Sequence, residues 1–410
     1  MDRRAFLAVW DSKVLNEKET KRENINLSLS ALEVTLDRKK ALHLLRRLYF
    51  SVTPELLNQI VGKTATVAVE MLLGDGLDYL PANASKLPDG YASLSWLDKI
   101  IESPLRVTQE IKGILESTHN GRYNELLNWW LEQMRIDDLS TNPAREKLTH
   151  FWHGHWCINY NYDGDDLIPP PLLYRNLQKI RKYRLGDFKK FVQEMTLDGA
   201  YLLYQSLNES TKGKPNENYM RELMELFTMG IGNYSEGDIR EGARALTGWR
   251  VTAHLGDRKV FDNFDTYFSG PDHDITSKSL IGETILARTD ADNNIDKVKL
   301  EEVFGVIDIL FKRRPDPIAH FICDKIYRYF VYSNPSAVDE TIIKNLADVF
   351  KSSNFNLKPV FVTLFSSQAF YDDANIGIQI KTPADLIVGL GKLLNVKYAS
   401  TNQAMIDMEQ

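Results

Sequence analysis

The chain has 410 residues, 43% of them hydrophobic and 26% charged, and carries a formal net charge of −6. That balance belongs to a folded globular protein, and no face or tail is basic enough to favour nucleic acid as a partner. No run approaches the roughly eighteen unbroken apolar residues of a membrane span, and two cysteines, Cys157 and Cys323, build no disulfide framework.

The N-terminus, Met1-Asp2-Arg3-Arg4-Ala5-Phe6-Leu7, looks like the start of a twin-arginine export signal. Trp10-Asp11-Ser12-Lys13 interrupts the apolar run that such a signal needs. As written, the chain is expected in the cytoplasm, with export to the periplasm as the alternative. Residues 1–35 read as an N-terminal segment. Residues 36–410 read as one large, mainly α domain.

Arg38 to Tyr49 is a short amphipathic helix, and Thr53-Pro54 places an N-cap before a proline at the first helical position. Thr64 to Leu73 makes another helix, ended by Gly74-Asp75-Gly76, and Leu77 to Ser93 is rich in turn formers. Tyr123 to Met134 has apolar and tryptophan residues at helical spacing. Asn142-Pro143 opens a further helix through Trp156, and Asn161 to Pro171 ends in three prolines and reads as a break. Asp187 to Tyr204 resumes helix. A polar loop follows, so a subdomain boundary near 208–215 is the alternative to a single domain.

Pro215 to Gly232 has two faces that disagree. Met220, Leu223 and Phe227 follow an apolar stripe, while Asn218, Arg221, Glu222 and Glu225 line the other side. Ser235 and Asp238 suit a capping box for a helix to Thr247, which Gly248 ends. From Val251 to Ile285 the pattern changes. Val260, Phe261, Phe264, Tyr267 and Phe268 sit among Gly, Asp and Asn, which predicts short strands or an irregular insertion. Helices then return over Lys297 to Phe311, Pro317 to Val331, Ala337 to Lys351, Leu357 to Phe365 and Pro383 to Leu394.

The chemistry-bearing residues fall in short, separated stretches. His155 shares an apolar stripe with Leu148, Phe151 and Trp152. It is either a core histidine bonded to a carbonyl or a functional imidazole facing the Arg221–Glu225 helix. His150 with His153 on an intact helix, or His153 with His155 if the helix ends at Gly154, could hold a metal, although no third ligand accompanies either pair. Glu222 and Glu225 are close enough for one carboxyl to be raised as an acid beside a base, and Asn216 and Asn218 crowd a helix start that attracts anions. Their plainer use is a solvated face, with Arg221 paired to Glu217.

Arg244, before Thr247-Gly248-Trp249, is expected to bridge to Glu222 or Glu225, or else to fork onto an anion. His273-Asp274 and Lys278 sit in the insertion, and Arg46 lies beside His43 and Arg47. Trp152 and Trp249 complete the expected binding set. Asp290, Asp292, Asn294 and Glu301 imitate a calcium loop, but Ile295 stands where the loop needs glycine, and Asp296 more simply caps a helix. Lys325 is expected to snorkel from its apolar helix. There is no phosphate-binding glycine loop and no Gly-x-Ser-x-Gly elbow.

PNENYMRELMELFTMGIGNYSEGDIREGARALTGW closely resembles the signature of a bacterial family, domain of unknown function 1800. The likeness continues through HLLRRLYFSVTPELL, REKLTHFWHGHW, HDITSKSLIG, AHFICDKIYRYFV and KTPADLIVGL, and so covers most of the chain. The family lends no reaction. The resemblance implies frequent export, further sequence beyond Met408-Glu409-Gln410, and a partner from domain of unknown function 1501, whose members resemble sulfatases and alkaline phosphatases.

Three expectations follow. The first is an enzyme, a hydrolase or group transferase, with His155, Glu222, Glu225, His273 and Asp274 handling protons. In it Arg221, Arg244, Lys278, Asn216, Asn218 and Arg46 hold an anionic small molecule or glycan. The second is a non-catalytic adaptor or maturation partner. The third is a histidine-based metal protein. The sequence names no cofactor.

Overall fold

The computed structural model describes residues 25–76, 109–136, 139, 144–163, 166–251 and 266–396. The Arg3-Arg4 segment, the turn-rich stretch 77–93, the Asn142-Pro143 helix start, Val260, Phe261, Phe264 and the final Met408-Glu409-Gln410 lie outside the described residues. The protein is mainly α, with a small strand-containing insertion. Described residues within 1–74, 135–147 and 319–396 form one compact unit, here the terminal unit; those within 75–134 and 148–318 form the central unit. Residues 208–215 lie inside the central unit. Among the described residues no helix is long and apolar enough to cross a membrane.

In the terminal unit the helices start where side chains cap them. Asp37 accepts the Lys40 N–H at 2.8 Å, and Arg38–Leu48 then buries Ala41, Leu44, Leu45 and Leu48 on one face. Thr53 and Thr64 cap Pro54–Ile60 and Ala65–Leu73, and Gly74 ends the second at φ 63°. The far end of the chain returns to this start. The Leu32 N–H donates to the Ser366 carbonyl at 2.8 Å, and the Ala369 N–H to Ser28 at 3.0 Å.

Ala337–Ser352, Leu357–Ser366 and Pro383–Leu393 build the rest, with the later part of Pro315–Phe330. Phe330, Phe361, Phe365 and Phe370 meet edge-on or stacked in its core. Cys323 is fully buried in this unit, and burial pushes its thiol far above the ordinary range. Lys325 lies over the Phe321 ring at 4.5 Å, and burial lowers its ammonium to about 8.

Thr382 and Asp385 form a capping box at the start of Pro383–Leu393. Further along, a Cβ at Gly389 would fall 2.6 Å from the Phe50 carbonyl oxygen. In an open helix, replacing glycine with alanine gains up to about 1 kcal/mol. Here Gly389→Ala should lower stability by about 1–3 kcal/mol, because backbone and helix must separate. A fall in melting temperature would show the reversed sign. On the outer side of this helix Leu386, Leu390, Leu393 and Leu394 remain exposed, with Ile380 just before it.

In the central unit Gln109–Met134 begins well before Tyr123. Gly113, Gly121 and the polar Ser117 to Asn120 run hide its periodicity in the sequence. The prolines after Ile168 do not only break the chain. Pro170 and Pro171 occupy the first turn of Pro170–Tyr183, where a missing N–H costs nothing. Asp187 to Tyr204 is two helices, Phe188–Thr196 and Gly199–Tyr204, because Asp198 accepts the Ala200 and Tyr201 N–H groups at 3.1 and 3.2 Å.

Glu217–Glu222 is α-helical and widens into a π-turn, Leu223–Thr228; the Met229 N–H reaches back to the Met224 carbonyl at 2.9 Å. Glu236–Ala245 follows behind the expected Ser235–Asp238 capping box. Three two-stranded antiparallel ladders occur among the described residues: Asn161–Asp163 with Asp166–Leu167, Trp249–Val251 with Thr266–Phe268, and Lys278–Leu280 with Glu283–Ile285. Ile295–Val298, capped by Asn294 instead of Asp296, passes through a second π-turn, Lys299–Val303, into Phe304–Arg313.

Candidate functional site

The central motif turns Met220, Leu223 and Phe227 into the core and leaves Arg221, Glu222 and Glu225 on its outer face. Each outer group has a protein partner. Arg221 forks onto both carboxylate oxygens of Glu236 at 2.8 Å, and not onto Glu217. The Asn218 amide donates to Glu222 at 3.1 Å. Glu225 accepts the Tyr234 hydroxyl, and burial together with that carboxylate raises the Tyr234 phenol to about 12. Asn216 caps the helix, accepting the Tyr219 N–H at 3.0 Å while its amide donates to the Gln205 carbonyl at 2.7 Å.

His155 stands in the aromatic core. Its Nε2 is 3.2 Å from the Phe227 carbonyl, with the Trp152 and Trp156 rings edge-on at 5.4 and 4.9 Å. The Trp152 indole N–H donates to the Arg184 carbonyl at 2.9 Å. His153 packs against Trp130 at 4.9 Å. Among the described residues no three His, Cys, Asp or Glu side chains come close enough to share a metal ion.

Arg244 finds its acids elsewhere than Glu222 or Glu225. Its Nη1 donates to both Glu241 oxygens at 2.8 and 2.7 Å, and its Nε to Asp274 at 2.8 Å. Its Nη2 reaches the Thr276 hydroxyl and, at 3.2 Å, the Ser277 carbonyl. The guanidinium has no N–H left for a ligand. Burial alone would raise the Asp274 carboxyl; bonds from Arg244 and Thr276 outweigh it and bring it down to about 2.

Gly248, at φ 87°, lets the insertion close on this helix, since a Cβ there would lie 2.8 Å from the Ser269 carbonyl. Trp249 is buried against Phe268.

His273 and Lys278 belong to a second cluster, centred on Glu302, which lies outside the sequence motifs. All three side chains have no exposed surface. Glu302 accepts from His273 Nε2 at 3.2 Å, from the Lys278 ammonium, and from Arg288 Nε. His273 Nδ1 is 2.9 Å from the Thr247 carbonyl, so both ring nitrogens have a protein partner. Burial pushes the Glu302 carboxyl up, but its bonds to His273 and Lys278 outweigh that and hold it low.

The two clusters join through Asp274: its carbonyl accepts from Lys278 and its N–H donates to Thr247 Oγ1 at 2.9 Å. Arg288 also lines a groove of about 550 Å³ with Lys297, Glu301, Asp308 and Lys312. The sequence did carry a signal for Glu302. It lies four residues after Val298 and four before Val306, an acid on an apolar stripe.

Arg46 belongs to the terminal unit, where it is exposed at a cleft of about 140 Å³ lined also by Arg47, Lys147, Lys381 and Asp385. His43 is buried beside it in sequence, its Nε2 3.1 Å from the Phe370 carbonyl. The expected site residues therefore divide into an outer helix face, an aromatic core position, the Arg244–Asp274 latch, the Glu302 cluster and this cleft. A family model described as "Protein of unknown function (DUF1800)" matches residues 43–410. No curated protein and no solved structure matches the chain.

Proposed function

The chain belongs to the DUF1800 family of proteins of unknown function, and on that premise we propose that it is a non-catalytic partner of another protein. The observation that carries this reading is the mutual engagement of the charges in and around the central motif. Arg221 holds Glu236, Arg244 holds Glu241 and Asp274, and Glu225 takes the Tyr234 hydroxyl. Acid–base catalysis needs a proton-transfer group within reach of a substrate, and recognition of an anion needs free donors. These side chains instead fasten helix to helix and insertion to helix.

A partner would need apolar surface, and the exposed Leu386, Leu390, Leu393 and Leu394 offer it. The first partner to test is the one the family resemblance implies, a sulfatase- or phosphatase-like protein of domain of unknown function 1501. The two proteins, from one genome and purified separately, should form a complex of fixed stoichiometry in sedimentation velocity. Leu390→Glu with Leu393→Glu should weaken it by more than about tenfold while the melting temperature stays put. Absence of a complex at roughly 50 μM of each protein would overturn the reading. So would turnover of a phosphate or sulfate ester by the chain alone that Glu222→Gln or Glu225→Gln abolishes.

A further inference from the structure

The terminal unit holds more positive charge in one place than its acids match, unlike the central motif. Arg46, Arg47, Lys147 and Lys381 line one cleft of about 140 Å³, against the single carboxylate of Asp385. That carboxylate is already in use. One oxygen accepts the Thr382 hydroxyl at 2.9 Å and its N–H at 3.3 Å, and the other takes the Lys147 ammonium. Lys147 is further held over the Phe50 and Tyr329 rings, at 4.7 and 5.4 Å.

Arg46 and Lys381 form no ion pair among the described residues. Arg47 is only 9% exposed, yet its Nη2 makes one long contact, 3.5 Å to the Asn375 carbonyl, and its Nε has no partner. A buried cation is normally paired or fully bonded. Burial lowers the Arg47 guanidinium to about 10, with the Arg46 charge adding to the effect and Asp385 opposing it.

We propose that this cleft binds a tetrahedral oxyanion, the phosphate or sulfate group of a small ligand, whose charge completes the set. Three unpaired cations exceed what the two oxygens of a carboxylate satisfy, whereas phosphate presents more acceptors and up to two charges. Thr382 lines the cleft, so the eleven-residue Pro383–Leu393 helix begins there, and its dipole adds to the field. The volume corresponds to about five water molecules, at roughly 30 Å³ each, which admits the oxyanion and a few attached atoms. Ser51 and Gln379, also on the wall, offer neutral hydrogen-bonding groups for those atoms. The cleft shares Leu393 with the exposed apolar face of this helix but none of its charged groups, so anion binding and a protein partner are tested by different variants.

Isothermal titration of the full chain, at constant ionic strength held with chloride, tests it with inorganic phosphate, sulfate, phenyl phosphate and acetate. Saturable one-to-one binding of a tetrahedral anion is expected, with acetate weaker by about tenfold or more. Tighter binding of phenyl phosphate than of phosphate assigns an ester ligand; the reverse order assigns a free ion.

Lys381→Ala and Arg46→Ala, at exposed and unpaired positions, should each weaken binding by about fivefold or more without moving the melting temperature. Arg221→Ala, in the central unit, should leave it unchanged. Binding absent up to about 20 mM, or equal in wild type and the Lys381→Ala/Arg46→Ala double variant, would overturn the site.

Discussion

Replacing Glu302 with leucine should lower the unfolding free energy by about 3–5 kcal/mol, the largest loss expected from any single change in the central unit. Glu302 is the one carboxylate shared by His273, Lys278 and Arg288, and neither it, His273 nor Lys278 exposes any side-chain surface. Without it the buried Lys278 ammonium loses its carboxylate beside His273, and Arg288 keeps only the exposed Glu301 as an acid partner among the described residues. The Coulomb gain of the intact cluster does not decide the size of the effect; the unpaired charge left behind does.

The cluster also fastens the insertion, because Lys278 bonds the Asp274 carbonyl while Arg244 holds the Asp274 carboxylate. Denaturant unfolding followed by tryptophan fluorescence would read the loss. The paired change Glu302→Leu with Lys278→Met should recover a substantial part of it. A loss below about 1 kcal/mol for Glu302→Leu would show that the cations find other partners.

Acidification should weaken the protein through His43 well before the carboxylates titrate. Burial first, and the Arg47 and Arg46 charges second, lower this imidazole to about 3, against an ordinary value of 6.5. The folded state therefore keeps His43 neutral, with Nε2–H available to the Phe370 carbonyl at 3.1 Å, while the unfolded chain takes up a proton as the pH drops through 6.5. The sign follows from that order. The contribution is complete above pH 6.5 and is lost as the pH falls toward 3, at about 1.4 kcal/mol per unit.

By pH 5 the loss should reach roughly 2 kcal/mol. Glutamine at position 43 keeps an N–H for the carbonyl but cannot titrate. His43→Gln should cost about 1–2 kcal/mol at pH 7 and give a flatter profile between pH 6.5 and 4. Parallel profiles for the two proteins would mean that another group governs the acid limb.

Features set by neighbouring residues were legible in the sequence. Thr53, Thr64 and Ser235 cap helices because a side-chain oxygen reaches an N–H two or three residues on, an interaction needing no tertiary structure. The two faces of the central motif were likewise readable from spacing; the π-turn was not, although Met220, Leu223 and Phe227 still fall together despite it. Partners were not legible. Arg244 meets Asp274 thirty residues away, and only the folding back of the insertion decides that it does not meet Glu225.

The prolines before Pro170–Tyr183 show a different failure, in which residue type was read without its position in the helix. The buried charges were readable in principle. Arg47 follows Leu44 by three residues, Lys147 precedes Phe151 by four, and Glu302 sits between Val298 and Val306, so each lies on an apolar stripe. The dense motifs carry exposed charges instead, and charges on a stripe mark the clusters that the fold encloses.

Cys157 is exposed in the central unit, whereas Cys323 is wholly enclosed in the terminal one and its sulfur is held as the unreactive thiol. An alkylating reagent should therefore modify position 157 at once and position 323 only during excursions that open the surrounding helices. Two adducts, separable by mass, then act as a built-in clock. The first counts molecules, and the second times how often the terminal unit breathes.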